Sequence, residues 1–357
     1  MWYIQNNPSD SKGYFNDVSN HRGSWFQLFG TDTNFINFVG YPFFKIGLSS
    51  FESMMFLFSW FGYLGFIFAY LFFREKIPVK IKVFKMDMLT LLLFLPNMHF
   101  WTVSFAKGSL IFMGLMMFTY AVTKYQKRYI LLVLGSVIVF YIRPHVFMFL
   151  AVGAVVGYMT GKEKMPLYQK LGISLGLLAA LILLQDQILG VVNLQNSENL
   201  VEGFENFSEK RSENLSRSSS GVDMQSYPLP LKLFTFWFRP LFFDAPSALG
   251  LIISVENLLY LLLFLKILKK DFIKFIRKSP SFVKMSLTIF IATSFAMTFI
   301  MSNLGIIMRQ KSMVMYFLFF VIYYYLAQKK YNRLMKIKKI RTARHQESKK
   351  QEQLAKA

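Results

Sequence analysis

The sequence predicts an all-α fold, a polytopic transmembrane helical bundle of about nine spans joined by extracytoplasmic loops or short helices. Three observations predict it. Of 357 residues, 54% are hydrophobic and 18% aromatic, the composition of a membrane bundle. Apolar runs of roughly 10–20 residues recur along the chain, the longest able to cross the hydrocarbon core. The basic residues behind the net charge of +22 gather in alternate connections between those runs.

Residues 1–51 are polar to mixed and carry Asp10, Asp17 and Asp32. They lack the basic start and apolar core of a signal peptide. The first span is Ser53 to Phe73, followed by a basic loop with Arg74, Lys76, Lys80, Lys82 and Lys85. The second run, Met86 to Leu95, is short and stops at Pro96; it is either extended by His99 to Phe105 or a partial span. The third covers Ser109 to Val122, and the fourth Tyr129 to Ile142, ending at Arg143-Pro144-His145, where proline favours a break. The fifth returns from Val146 to Met159, and the sixth covers Leu171 to Val192. Asn193 to Ser226 is the longest polar segment, a lid or loop in which Leu200, Phe204, Phe207 and Leu215 have helical spacing. The seventh span, Ser247 to Leu265, is introduced by Arg239, Pro240 and Asp244 and closed by Lys266, Lys269 and Lys270. The eighth is Met285 to Met301, and the ninth Met313 to Ala327.

The connections 74–85, 124–128, 161–170, 266–284 and 327–357 hold 29 of the 41 Lys and Arg residues. By the positive-inside rule these face the cytoplasm, and the C-terminus with them. The basic excess then needs no nucleic acid partner. Residues 1–327 read as one transmembrane domain, with 193–246 as a large extracytoplasmic loop and approach to the next helix, and 328–357 as a basic cytoplasmic tail. Nine spans with an exported N-terminus lead to the expectation of a further helix upstream of Met1.

This topology collects the notable polar residues at the outer face: Asp10, His99, Lys107, Arg143, His145, Arg239, Asp244, Arg309 and Lys311. Glu256 lies about nine residues, or ~14 Å, into the seventh span. A carboxylate at that depth costs roughly 2.5 kcal/mol or more, so it calls for a partner or a wet pocket, and the arginines approaching from the same side are the expected partners. Arg143, His145, Arg239, Arg309 and Lys107 form a candidate binding set for an anion such as a diphosphate, because guanidinium grips phosphate bidentately. Asp10, Asp244 and Glu256 are the candidate catalytic carboxylates. Such acids can also hold a divalent cation, although the sequence fixes no cofactor. Each has a plainer reading: Arg143 and Arg239 precede prolines and would shape turns, Lys107 would anchor at the interface, and His99 beside Trp101 would join an aromatic belt. There is no cysteine, the four histidines have no metal-site spacing, and no Gly-rich phosphate loop, GxSxG or HExxH is present.

The successive segments LPNMHFWTVSFAKGSL, YIRPH, FRPLFFDAPSALGLIISVEN and NLGIIMRQKSMVMYF, with the early DSKGYFNDVSN, resemble the bacterial Wzy-like and EpsG-like polysaccharide repeat-unit polymerases and related lipid-linked-sugar glycosyltransferases. The chain departs from that pattern with Gly108 after Lys107, Asp244 in place of Glu, and Lys311 in place of Arg. The resemblance implies a multi-pass protein of the inner membrane that transfers or polymerises polyprenyl-diphosphate-linked sugars at its outer face. Its implied partners are the lipid-linked oligosaccharide, membrane lipids and other polysaccharide-assembly proteins. Two other classes fit the same composition: a lipid-linked-oligosaccharide flippase, and a non-catalytic assembly protein. Reporter fusions after Lys127, Lys270 and Lys330 should report a cytoplasmic position and one at Ser219 the opposite side; a cytoplasmic signal at Ser219 would overturn the outer-face assignment.

Overall fold

Helix boundaries in this chain fall where capping residues and prolines place them. The computed structural model describes residues 9–162, 166–191, 199–217, 220–245 and 247–356. Lys164, residues 192–198 and Ser219 of the loops considered above lie outside this set. Ser9 caps α1 (Asp10–Asn20), accepting from the Ser11 amide. A 3₁₀ turn (Trp25–Leu28) leads to α2 (Thr33–Lys45). Ser50 and Ser53 satisfy each other's backbone amides at the start of α3 (Phe51–Lys76). A two-residue hairpin, β1 (Lys82–Val83) with β2 (Met86–Asp87), ends at Asp87, which caps α4 (Met88–Leu93). Pro96 opens α5 (Pro96–Thr102), followed by α6 (Lys107–Val122), α7 (Tyr129–Ile142) and α8 (Pro144–Thr160). Next come α9 (Leu167–Leu183), α10 (Gln185–Val191), α11 (Leu200–Ser216) and α12 (Leu229–Phe238). The last four helices are α13 (Ala248–Leu265), α14 (Lys270–Lys278), α15 (Ser281–Ile300) and α16 (Leu304–Lys356).

The fold is all-α apart from the hairpin, and its apolar helices mark a membrane protein. Four helices among the described residues, α3, α13, α15 and α16, are long and apolar enough to cross a bilayer. α5 and α6 make a fifth if that pair, bent by 115°, counts as one broken span. The second apolar run is therefore not one helix but the short α4 and α5, interrupted at Pro96. α7, with 14 residues, and α8 and α9, with 17 each, fall short of the ~20 residues that cross ~30 Å without thinning or rebuilding the layer. Nine full-length spans are thus not established by helix length.

Helices also form in two of the polar segments, one of them the amphipathic helix that its spacing suggests. Residues 10–45 fold into α1 and α2 because Tyr14, Val18, Phe35, Ile36 and Tyr41 give them a buried face, with Tyr14 edge-on to Phe105 at 6.2 Å. The helical spacing seen in the long polar segment becomes α11, whose Leu215 packs against a second core of Phe236, Met297, Met301, Leu304 and Ile307. α11 is tied down by Ser208, which donates to the Phe299 carbonyl at 2.6 Å, and by a hydrogen bond between Ser212 and Ser302.

α16 runs through the bundle, buried almost continuously from Ile307 to Ala327 and exposed beyond Lys329. At its basic end Asp271 of α14 accepts from Tyr325 at 2.9 Å and Lys329 at 3.0 Å, while Lys330 donates to the Lys80 carbonyl at 2.8 Å. α8 and α15 pack backbone to backbone through glycine. A Cβ on Gly157 would stand 2.7 Å from the Ser281 carbonyl oxygen, closer than carbon and oxygen can approach without movement. Small residues serve helix contacts in this way where apolar solvent supplies no hydrophobic drive. Gly157→Ala should lower stability in detergent by about 1–3 kcal/mol, the usual cost of overpacking. Gly172→Ala, which meets nothing within 4 Å, should leave the melting midpoint unchanged or raise it slightly; equal behaviour of the two would refute the glycine contact.

Candidate functional site

The site is built around the first two turns of α16. Successive residues of a helix point about 100° apart, so Met308 to Lys311 face different neighbours. The Met308 carbonyl accepts from the Asn97 side chain at 2.9 Å. Arg309 meets Asp10 of α1 at 3.4 Å and lies 5.8 Å from the Trp101 ring centre. Gln310 accepts from the Arg143 guanidinium at 2.6 Å. Lys311 donates to the Arg239 carbonyl at 2.5 Å. One short stretch therefore touches α1, α5, the α7–α8 break and the end of α12.

Glu256 is buried on α13. One carboxylate oxygen accepts from the Asn97 backbone amide at 2.9 Å, and the other from the Tyr260 hydroxyl. The arginines expected beside it are engaged elsewhere. Arg239 pairs with Asp244 through Nε, and its Nη1 lies 3.5 Å from both Tyr227 and Thr235 hydroxyls. Asp244 also accepts from the Leu241 amide at 2.5 Å. Arg143 and Arg309 have the partners just given. The cation whose field reaches Glu256 is Lys311, and no direct ion pair joins them among the described residues.

Arg143 is the residue between α7 and α8, and its position follows from Pro144, which starts α8 and leaves the preceding residue outside helical geometry. Its Nε is buried without a hydrogen-bond partner, as is the Nδ1 of His145 two residues on. Arg309 and Arg211 both act on Arg143 as like charges, with Asp32 and Tyr14 opposing them. Burial first, and then the neighbouring Asp10, push the Tyr14 phenol above its usual range, so it stays a neutral donor at the edge of this cluster. Lys107 closes the group by pairing with Asp32 at 2.5 Å. His99 is structural: it stacks on Phe66 at 4.1 Å and bonds the Leu93 carbonyl.

The sequence-selected residues thus fall into two connected groups. Asp10, Lys107, Arg143, His145 and Arg309 surround the α1–α8–α16 corner, whereas Arg239, Asp244 and Glu256 lie where α12, α13 and α16 meet. Asp10 is open, with a side-chain exposure of 64%, and Asp244 is closed in at 13%. A proton acceptor must be reachable, so Asp10 suits that role and Asp244 the holding of Arg239. Asn97, Tyr260 and Gln310 were not selected from sequence because amide and phenol side chains in an apolar run carry no motif. Arg211 was hidden by the mixed charge of α11. A cavity of about 20 Å³ beside Arg143 and Gln310, otherwise lined by Ile111, Val146, Ile289 and Phe317, has room for a water but not a sugar. Among the described residues no three His, Asp or Glu side chains gather to hold a metal ion.

No family model, curated protein or solved structure matches the chain. Asn97 joins α5, α13 and α16 and also accepts from the Trp101 indole at 3.0 Å. Asn97→Ala leaves buried groups unpaired, so it should cost about 1–3 kcal/mol in thermal unfolding. Asn→Ala at exposed Asn332 should cost under about 0.5 kcal/mol, and a silent Asn97→Ala would refute the junction.

Proposed function

We propose that the chain is a membrane glycosyltransferase or polymerase of surface-polysaccharide assembly, acting on sugars carried by a polyprenyl diphosphate. In this proposal all nine apolar runs cross the inner membrane, the arginine corner faces outward and the C-terminus is cytoplasmic. The observation that carries it is the Arg143 corner. One guanidinium has a buried Nε with no hydrogen-bond partner, two further arginines act on it, and one of these, Arg309, carries the exposed carboxylate of Asp10. A buried cation whose own hydrogen-bond partner is a neutral amide favours an anion, and a membrane location favours one with a lipid tail.

The chemistry follows from those groups. The acceptor hydroxyl attacks the anomeric carbon of the donor sugar and loses its proton to Asp10. The bond from that carbon to the diphosphate oxygen breaks, and its electron pair leaves with the diphosphate. Arg143 and Arg309 stabilise the charge that develops there, the term expected to dominate such a transfer. Arg239, held by Asp244, presents its remaining N–H groups along the same end of the bundle. Glu256 acts through the backbone it fixes and not on the substrate.

Product per folded protein, assayed with the lipid-linked donor in reconstituted membranes, tests the reading. Arg143→Ala and Arg309→Ala should each lower it about 100-fold, the scale for losing one preorganised donor. Arg309→Lys should fall between, because it keeps charge and loses the planar fork. Unchanged product in both alanine variants would end the proposal.

A further inference from the structure

Two ionisable side chains of opposite type sit inside the bundle: Lys311 is 0% exposed and Glu256 is 4% exposed. Neither position is an accident of a snorkelling side chain, because neither reaches solvent. Each is tied to a different part of the chain. Lys311 donates to the carbonyl of Arg239, the residue that ends α12. Glu256 accepts from the amide of Asn97, and Asn97 in turn grips the carbonyl of Met308, one turn before Lys311 on α16. The next carbonyl of the same turn, Pro240, is held by Asn257, the neighbour of Glu256, at 2.6 Å. The Arg239-Pro240 turn is thus clamped from α16 by an ammonium and from α13 by an amide. The two helices that clamp it carry the opposite charges.

We propose that Lys311 and Glu256 form a charge-compensated latch that fixes the Arg239-Pro240 turn, which makes Lys311 a positioning residue for the Arg239 guanidinium. The compensation acts through space, with Asp244 adding to the negative field on Lys311. A buried charge that loses its counter-charge is far costlier than the loss of both together. That asymmetry distinguishes a latch from two unrelated buried polar residues, whose losses would add. The catalytic consequence rests on the reading in the preceding subsection; the latch itself does not.

The test uses the full chain in lipid nanodiscs, with Lys311→Met, Glu256→Gln and the double variant. Hydrogen exchange is followed in peptides covering residues 238–245 and, as a control, α3. Lys311→Met should speed exchange at the turn at least tenfold and leave α3 unchanged. Glu256→Gln should speed it less, because the Lys311 hydrogen bond survives. The double variant should exchange no faster at the turn than Lys311→Met and should melt higher than either single variant. A turn whose protection is untouched by Lys311→Met, or a double variant whose melting loss is the sum of the two, overturns the latch. If Lys311→Met does not fold, folding of the double variant supports the latch, and its failure to fold overturns it. Product is measured on the same samples. Faster exchange with unchanged product leaves the latch standing and removes Arg239 from the proposed chemistry, so the two ideas fail separately.

Discussion

The constraint on which this structure depends is that polar groups in an apolar interior must find their partners within the protein. A straight helix meets it alone, because each amide bonds a carbonyl one turn away. A broken helix does not, since its ends leave amides and carbonyls exposed. This chain has three breaks at proline, Leu95-Pro96, Arg143-Pro144 and Arg239-Pro240, and each brings such groups into the bundle. The start of α16 touches all three, meeting a backbone carbonyl at the third and side chains at the other two. Its Met308 carbonyl takes Asn97, its Gln310 takes Arg143, and its Lys311 takes the Arg239 carbonyl. One turn of one helix therefore ties together four elements distant in sequence.

The same accounting separates the arginines. Arg239 is compensated by Asp244, and both are mostly enclosed, so its charge is spent largely on shaping the turn. Arg309 is shared between Asp10 and the face of Trp101 and remains partly open. Arg143 has only a neutral amide as its partner and keeps a buried N–H unused. A ligand anion gains most from the least compensated cation, because it displaces no carboxylate to reach it. In the proposed function, anion binding therefore centres on the α7–α8 break and not on the Arg239-Pro240 turn.

Apolar runs and breaks were legible in the sequence because they depend on local composition. The long apolar runs became helices, the sixth as two, α9 and α10, parted at Leu184, and the proline at 144 became a boundary. Glu256 stood out as a lone carboxylate in an apolar stretch, and it is buried and bonded as that context required. Of its two partners, Tyr260 lies one turn on in the same helix, but Asn97 lies 159 residues away, and spacing along a chain carries no distance of that kind. The helices in residues 10–45 were missed for another reason. Their polar faces are long, and only a narrow side, with Tyr14, Val18 and Ile36, goes into the core. Span number does not follow from the runs alone, because an apolar run of 14 residues makes a helix without by itself fixing that the helix crosses ~30 Å.

The two ends of the bundle use charge in opposite ways. At the basic end, Asp271 bonds Lys329 and Tyr325, which hold its carboxyl below the usual range, yet it is fully exposed and each contact is screened by water. Those cations outnumber their acids, but solvent compensates them. At the Arg143 corner the excess is smaller in number and larger in consequence, since one guanidinium N–H is buried with no hydrogen-bond partner among the described residues. An unpaired donor costs more as its surroundings become less polar, and an anion that reaches it gains in the same measure. A protein could avoid that cost with a carboxylate at position 310, on the residue that already touches Arg143. It carries Gln310 there instead, which orients the guanidinium without neutralising it, and that choice is what leaves a charge available to a ligand.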